Sequence, residues 1–204
     1  ENKFGQLGFG SEEYIRNFTE LKGIEGTIKQ VICTDYSTIV LTDEGLYGCG
    51  DNTDGQLGCG EEEDIRTFTK IIGIEEHIQE IIGDASSTFC ITDQAVYVCG
   101  DNTEGRLGCN NKDYIRTFTK IIGIEGKIIK VLFNSDDVIV CTDKGVYRCG
   151  ENVDDQLGCG KESHIWTFKK INGINGNIKE IIGNDSSIIC RMDQDVYVCG
   201  DNTR

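Results

Sequence analysis

The sequence predicts an all-β propeller built from four-stranded blades. Three observations lead to it: the chain repeats every 50 residues, each copy contains short β-prone segments separated by turns, and no stretch has the periodicity of an amphipathic helix. A small sheet with two apolar faces cannot cover both alone, so successive copies are expected to stack face to face. Radial stacking of such sheets gives a propeller, whereas solenoid repeats are usually shorter or helical.

The repeat is regular along the whole chain. Residues 1–50, 51–100, 101–150 and 151–200 align without insertion or deletion, and residues 201–204 begin a fifth copy. We therefore expect residues 1–204 to form a single propeller domain. Twelve positions hold the same residue in all four copies, which in the second copy are Asn52, Leu57, Gly58, Ile65, Phe68, Gly73, Ile74, Ile78, Asp93, Tyr97, Cys99 and Gly100.

Each copy is long enough for four short strands. In the second copy the predicted strands are Thr67–Ile72, Ile78–Ile82, Thr88–Thr92 and Val96–Cys99. All four are rich in β-branched or aromatic residues, and Gly, Asp and Ser residues between them supply the turns. Four strands per copy is the number that a propeller blade needs.

Charge and composition disfavour several classes of function. The net charge of −15 opposes the phosphate neutralisation on which nucleic-acid affinity depends, and it also opposes adsorption on anionic lipid. No apolar run approaches the ~18 residues that cross a bilayer, and no secretory signal opens the chain. We therefore expect a soluble intracellular protein, cytoplasmic or nuclear, that does not bind DNA, RNA or membranes directly.

The residues of common catalytic and metal sites do not recur. His77 and His164 occupy different positions in their copies, and no Cys-x-x-Cys spacing is present. The Gly-rich turns lack the Lys-Ser/Thr pair of a phosphate-binding loop. We expect no catalytic residues, cofactor or metal, and we place each histidine in an exposed loop.

Eleven cysteines are an odd number, spread over a long chain. We interpret most of them as free thiols that fill blade cores in a reducing compartment. A ladder of disulfides in an oxidising compartment is the alternative, because several cysteines lie ten residues apart. Those pairs are Cys49 with Cys59, Cys99 with Cys109, and Cys149 with Cys159.

One segment at each copy boundary is specific to a family. Residues 50–60 read Gly-Asp-Asn-Thr-Asp-Gly-Gln-Leu-Gly-Cys-Gly, and close variants begin at Gly100 and Gly150 and occupy residues 1–10. This segment resembles the signature of the regulator of chromosome condensation repeats. The chain departs from that family by holding Cys in the usual Trp position, Ser or Asp in the usual His position, and no proline.

The resemblance implies a ring of seven blades, of which this chain supplies four. We favour part of a larger ring, with further blades from a parent chain or another chain, and a closed four-bladed ring is the alternative. The glycines suit turns that need positive φ, so the motif indicates the scaffold rather than the activity.

Two classes of function follow from this fold. The favoured one is a non-enzymatic scaffold for protein–protein interaction. The resemblance also implies guanine-nucleotide exchange on a Ran-like small GTPase, or a chromatin-associated adaptor. Exchange in the family's founding member uses an inserted loop that wedges into the GTPase, and the strict 50-residue spacing leaves no such insertion here.

Positions that differ among the copies are candidates for partner binding. Residues 51–100 hold eleven acidic and two basic residues, a net charge of −9, and Glu61, Glu62, Glu63 and Asp64 form an acidic run in one loop. Such a run attracts a basic partner, although a solvated loop that maintains solubility is the commoner explanation.

A second candidate set precedes the recurring Phe by two residues. It consists of Arg16, Arg66 and Arg116, with Trp166 in the fourth copy. Arg and Trp are enriched at binding hot spots. Their long side chains can equally cover the edge of a blade, and we weigh that structural role somewhat higher.

Overall fold

The computed structural model describes residues 2–11, 14–133, 137–152, 162–174, 178–184, 187–192 and 195–200. These residues form β-strands and no helix, which confirms the all-β prediction. The strands are β1 (Ile28–Cys33), β2 (Ser37–Thr42), β3 (Gly45–Gly50), β4 (Ile65–Ile71), β5 (Ile78–Gly83), β6 (Ser87–Thr92), β7 (Val96–Gly100), β8 (Ile115–Lys120), β9 (Ile128–Phe133), β10 (Asp137–Thr142), β11 (Gly145–Glu151), β12 (His164–Lys170), β13 (Glu180–Asn184), β14 (Ser187–Arg191) and β15 (Val196–Gly200).

The strands form antiparallel sheets in simple chain order. Three sheets have four strands each, β1–β4, β5–β8 and β9–β12, and the described part of the fourth sheet has three, β13–β15. The strands predicted in the second copy agree with β4 to β7 within two residues at each end. Enrichment in β-branched and aromatic residues between turn residues therefore identified these strands correctly.

The fourth strand of each complete sheet comes from the next copy of the repeat. In the first sheet, β3 pairs with β4 through Gly50 opposite Ile65 and Leu46 opposite Ile71. The same pairing joins β7 to β8 and β11 to β12. The motif segment, which the sequence placed between blades, therefore connects the third and fourth strands of one sheet. Each sheet boundary lies after its outer strand, as at residues 72–77.

The chain divides by contact into two compact units. The first unit consists of Glu1–Thr92, Val96–Asp101 and Tyr114–Lys120, and the second of Asp93–Ala95, Asn102–Asp113 and Ile121–Arg204. The first unit contains the first two sheets and the second unit contains the other two, so each has its own core.

The core of the first unit lies between its two sheets. Ile39, Leu41 and Leu46 of the first sheet form one cluster with Ile81, Cys90 and Cys99 of the second. In the second unit the corresponding cluster contains Ile139, Cys141, Val146, Ile171, Ile181 and Cys190. Burial of each aliphatic side chain contributes roughly 1.5–3 kcal/mol, so face-to-face packing stabilises sheets that are too small to be stable alone.

The cysteines whose side chains the structure describes are free thiols. Cys49, Cys90, Cys99, Cys141, Cys149 and Cys190 are buried, which confirms their interpretation as core-filling side chains. The Cys49–Cys59 and Cys99–Cys109 disulfides are absent, whereas Cys159 lies outside the described residues. In the part of the chain that the structure describes, no helix is long and apolar enough to span a membrane.

Candidate protein-interaction site

The motif segment at the start of the second copy, residues 51–64, is bridged by the side chain of one asparagine. Asn52 is fully buried; its Oδ1 accepts a hydrogen bond from the Leu57 amide at 2.9 Å, and its Nδ2 donates to the Glu61 carbonyl at 2.6 Å. The amide group thereby joins the start of the segment to the acidic run. Asn102 makes the corresponding bonds in the third copy.

Two glycines let this segment touch the outer strand of the second sheet. Gly55 and Gly58 have φ angles of +79° and +68°. A Cβ on Gly55 would lie 2.8 Å from the Arg116 Cα, and a Cβ on Gly58 would lie 2.6 Å from the Phe118 ring. The segment thus leaves the first sheet, packs on β8 and returns as β4. These contacts explain why Gly occupies the position of Gly58 in all four copies and that of Gly55 in three, where the fourth copy holds Asp155.

A cysteine anchors the segment from the side of the core. The Gln56 carbonyl accepts hydrogen bonds from the Thr88 hydroxyl at 2.7 Å and from the Cys99 thiol at 3.3 Å. A Cβ on Gly58 would come within 3.0 Å of the Cys99 sulfur, so there is little spare space at this position. Cys99, at the recurring Cys position, therefore stabilises the motif segment by this hydrogen bond and also fills the core.

Two of the predicted arginines hold the loops in place. Arg66 donates to the Lys3 carbonyl at 3.2 Å, and Arg116 donates to the Thr53 carbonyl at 3.0 Å. Both bonds span 63 residues, from an outer strand to a motif segment. These bonds support the structural role that the sequence favoured for this position.

The acidic run lies beside the same arginines. The Glu62 carboxylate is 3.2 Å from Arg116, and the Asp64 carboxylate is 3.6 Å from Arg66. Burial, together with the neighbouring Asp51, raises the pKa of Asp64 against the opposing effect of Arg66. Within the described ranges, Glu61 and Glu63 are exposed and form no ion pair.

Arg16 is the predicted arginine that lies outside this arrangement. It is exposed, and its guanidinium lies 6.0 Å from the centroid of the Tyr14 ring. The structure therefore brings together the acidic run, Arg66 and Arg116 in the first unit.

Trp166 belongs to a separate cluster in the second unit. Its ring packs against Gly105 and stacks on His164 with centroids 5.4 Å apart, and the Lys112 ammonium lies 4.6 Å from its centroid. His164 also contacts the Glu104 carboxylate at 2.7 Å. His164 begins β12, so its predicted loop position is wrong, whereas His77 is exposed between strands as expected.

An aromatic cavity in the first copy was missed by the sequence analysis. Phe4 and Tyr36 meet edge to face at 5.1 Å, and together with Lys3, Gln6 and Asp35 they line a cavity of about 380 Å³. The available signal was compositional, because the other copies hold Asp or Glu in place of Phe4 and Ser or Asp in place of Tyr36.

The antiparallel sheets and the motif loops between their third and fourth strands define a β-propeller protein. Residues 28–56, which contain β1 to β3 and the start of the motif segment, match the Regulator of chromosome condensation (RCC1) repeat. Over these residues the chain resembles one repeat of that family. No curated protein sequence matches the chain.

Solved structures share the fold at low sequence identity. Human WBSCR16 is 21% identical with a TM-score of 0.79, over 98% of this chain and 54% of that one. Yeast RCC1 (Prp20), in its complex with Kap60, is 16% identical with a TM-score of 0.70, and the match covers 88% of this chain and 45% of that one. Prp20p from Saccharomyces cerevisiae, in the structure reported with its binding to Gsp1p and histones, is 15% identical with a TM-score of 0.67. That match covers 91% of this chain and 47% of that one. The chain thus spans about half the length of each of these three structures, and its ring size stays a prediction.

Proposed function

We propose that the chain is a protein-interaction module that binds a basic partner through the acidic run Glu61–Asp64. One observation carries the proposal: Glu61 and Glu63 are exposed, in a run whose backbone is fixed at its start by hydrogen bonds. The Glu61 carbonyl accepts from Asn52, and the Gly60 amide donates to the Arg116 carbonyl at 2.8 Å. A loop that is already ordered loses little conformational entropy when a partner binds.

Electrostatics decides the kind of partner. Residues 51–100 carry a net charge of −9, which attracts a basic surface over a distance of about one Debye length, ~8–10 Å in physiological salt. Glu62 and Asp64 are partly neutralised by Arg116 and Arg66, so Glu61 and Glu63 are the carboxylates that a partner's Lys or Arg would contact. Such contacts affect association rate and specificity more than total affinity.

The experiment compares two double variants of the chain. Glu61→Gln with Glu63→Gln removes two charges from the acidic run, and Glu20→Gln with Glu80→Gln removes two exposed charges elsewhere in the same unit. We expect the first pair to lose partners that quantitative affinity capture finds on the wild-type chain, and the second pair to keep them. Identical sets of partners for all three proteins would count against the proposal.

Guanine-nucleotide exchange on a small GTPase is the competing proposal. Its support is the family resemblance and a neighbour, Prp20p, whose structure was reported with binding to Gsp1p. A purified Ran-like GTPase loaded with fluorescent nucleotide tests it directly. Faster nucleotide release on addition of the chain would favour exchange over a purely scaffolding role, and an unchanged release rate would favour the scaffold.

A further inference from the structure

A cavity of about 410 Å³ lies at the junction of the first two sheets. It is lined by the turn from β2 to β3, by the end of β4, and by residues 72–77, the connector that leads to β5. All of these residues belong to the first unit, and both sheets have their four strands in the described chain. The walls of the cavity are therefore complete.

The inner part of the cavity is apolar. Leu46 and Ile71 are 3% and 8% exposed and belong to the core cluster of the first unit, and Ile74 and Ile78 pack against that cluster. Ile72 extends this apolar surface outwards, since it is 81% exposed. Ligand sites are typically clefts of about 300–1,000 Å³ with a mainly apolar lining and a few polar groups, so the size and the lining of this cavity both suit a ligand.

The charged residues of the lining are mainly acidic. They are Asp43, Glu44, Glu75 and Glu76, together with Lys70 and His77. Two of the carboxylates are engaged within the chain. Asp43 accepts a hydrogen bond from the Thr27 amide at 2.7 Å, and Glu76 pairs with the Lys120 ammonium at 2.9 Å. These two side chains therefore stabilise the walls of the cavity.

Glu44 and Glu75 are the carboxylates that a ligand can reach. Both are exposed, and among the residues that the structure describes neither carboxylate forms an ion pair or a hydrogen bond. Lys70 contacts an aromatic ring instead, with its ammonium 5.8 Å from the centroid of Tyr47. An apolar interior next to two available carboxylates fits a cation that carries an apolar group.

The acidic rim belongs to this junction rather than to the repeat. At the corresponding positions 91–96 and 120–128 the sequence holds two acidic residues and two lysines, and at 141–146 and 170–178 it holds one acidic residue and two lysines. Gln94 and Lys144 occupy the position of Glu44. The next two copies therefore lack the excess of negative charge that the first junction carries.

We propose that this cavity binds a peptide segment of a partner protein in which a large apolar side chain lies next to a Lys or Arg. The apolar side chain enters the cavity and packs on Leu46 and Ile71, and the basic side chain contacts Glu44 or Glu75. Ile72 provides apolar surface outside the cavity, which a peptide covers and a small organic cation does not.

This site is separate from the acidic run Glu61–Asp64. β3 begins at Gly45, in the cavity lining, and ends at Gly50, where the motif segment follows. Five steps along a strand span roughly 17 Å, which exceeds the Debye length of ~8–10 Å in physiological salt. A ligand at one site therefore has little electrostatic influence on the other, and each site can be tested alone.

The first experiment selects a phage-displayed library of random 12-residue peptides on the 204-residue chain. The chain carries Glu61→Gln and Glu63→Gln, so the acidic run does not contribute to the selection. We expect the enriched peptides to place Leu, Ile, Met or Phe next to Lys or Arg. A selection that enriches no peptide, or peptides without this pairing, would overturn the proposal, even if butylguanidinium shifted the amide resonances of the cavity in a nuclear magnetic resonance spectrum.

The second experiment places the enriched peptide by fluorescence anisotropy. Glu44→Lys with Ile72→Asn introduces residues that later copies hold at these positions, Lys144 and Asn172, so the fold is expected to tolerate them. We expect this double variant to raise the dissociation constant by about tenfold or more, because it loses an ion pair and apolar contact area and adds a like charge.

The matched control makes the same two changes at the next junction. Gln94→Lys with Ile122→Asn also adds a lysine and also replaces an exposed isoleucine, since Ile122 is 78% exposed. We expect its dissociation constant to stay within about twofold of the parent value. Equal effects of the two double variants, or no effect of either, would show that the peptide binds elsewhere and would overturn the proposal.

Discussion

The guanidinium of Arg148 forms an ion pair with the carboxylate of Asp137 inside the third sheet. The two side chains are 1% and 4% exposed, so both charges are removed from water. The other copies hold Ser in place of Asp137, and Gly or Val in place of Arg148. The acid and the base therefore occur in the same copy, as expected if each is tolerated only because the other is present.

Breaking this pair is predicted to be much more harmful than replacing it. Asp137→Ala leaves a buried guanidinium without its carboxylate, and we expect a loss of about 3–5 kcal/mol in the free energy of unfolding. The double variant Asp137→Ser with Arg148→Val copies the residues of the second sheet, and we expect it to unfold at a urea concentration close to or above that of the wild type. Urea unfolding followed by fluorescence of Trp166 measures both. Equal losses in the single and double variants would show that the pair has no special role.

The glycines of the motif are predicted to be required for different reasons. Gly58 has a φ of +68° and a ring in contact, so Gly58→Ala combines left-handed strain with a clash and is expected to cost about 2–5 kcal/mol. Gly60 has a φ of +83°, but the nearest atom to its Cβ is 3.5 Å away. The third copy already holds Asn110 at this position, with φ of 58°.

Gly60→Asn is therefore the matched control, with an expected cost below about 1 kcal/mol because Asn tolerates the left-handed region. Thermal unfolding of these two variants and of Gly60→Ala, which carries the left-handed strain without the ring contact, separates backbone strain from steric contact. A Gly60→Asn variant as unstable as Gly58→Ala would mean that contact with Phe118 is not what makes the second glycine of the motif necessary.

The repeat made the strands predictable from sequence, but it did not reveal which strands pair. Thr67–Ile72 was correctly predicted as a strand, and it pairs with the sheet of the preceding copy. The repeat has the same 50-residue period whichever residue is taken as its first, so the period alone cannot locate the end of a sheet. The pairing of β4 with β3 places that boundary after β4, and it is a property of the folded chain.

The candidate site was predictable to a similar degree. The acidic run was evident because it departs from the other copies, and exposure of Glu61 and Glu63 follows from their charge. The hydrogen bonds of Arg66 and Arg116 to carbonyls 63 residues away could not be predicted from sequence. They depend on how each motif segment packs against the outer strand of the next sheet. The cluster around Trp166 was missed because Lys112, His164 and Glu104 come from separate segments.

Thiol reactivity is predicted to differ widely among the cysteines. Burial raises the pKa of Cys49 to about 12 and that of Cys109 to about 11, which leaves little of the reactive thiolate at neutral or mildly alkaline pH. Cys33 is the exposed thiol of the described chain. We expect iodoacetamide to modify Cys33 first in the folded protein and all eleven cysteines in guanidinium chloride, as followed by peptide mass spectrometry. Fewer than eleven modified cysteines after unfolding would indicate disulfides.

Stability is predicted to fall in alkaline solution because of buried thiols such as Cys141. Burial, together with the nearby Cys190, raises the pKa of Cys141 from 9.0 to about 12. The unfolded chain therefore releases this proton at a lower pH than the folded chain does. The stabilisation is complete below about pH 9 and is lost as the pH rises towards 12.

A variant isolates this effect from other titrating groups. Cys141→Val removes the thiol, and we expect the free energy of unfolding to decline less steeply with pH in this window, by up to about 1.4 kcal/mol per pH unit. Val138→Ala, in the same strand and equally buried, is destabilised without losing a titrating group and is expected to keep the wild-type slope. Urea unfolding at several pH values measures each slope. If Cys141→Val and Val138→Ala showed the same slope, ionisation of this thiol would not contribute to alkaline unfolding, and the decline would have to come from groups that titrate elsewhere in the chain.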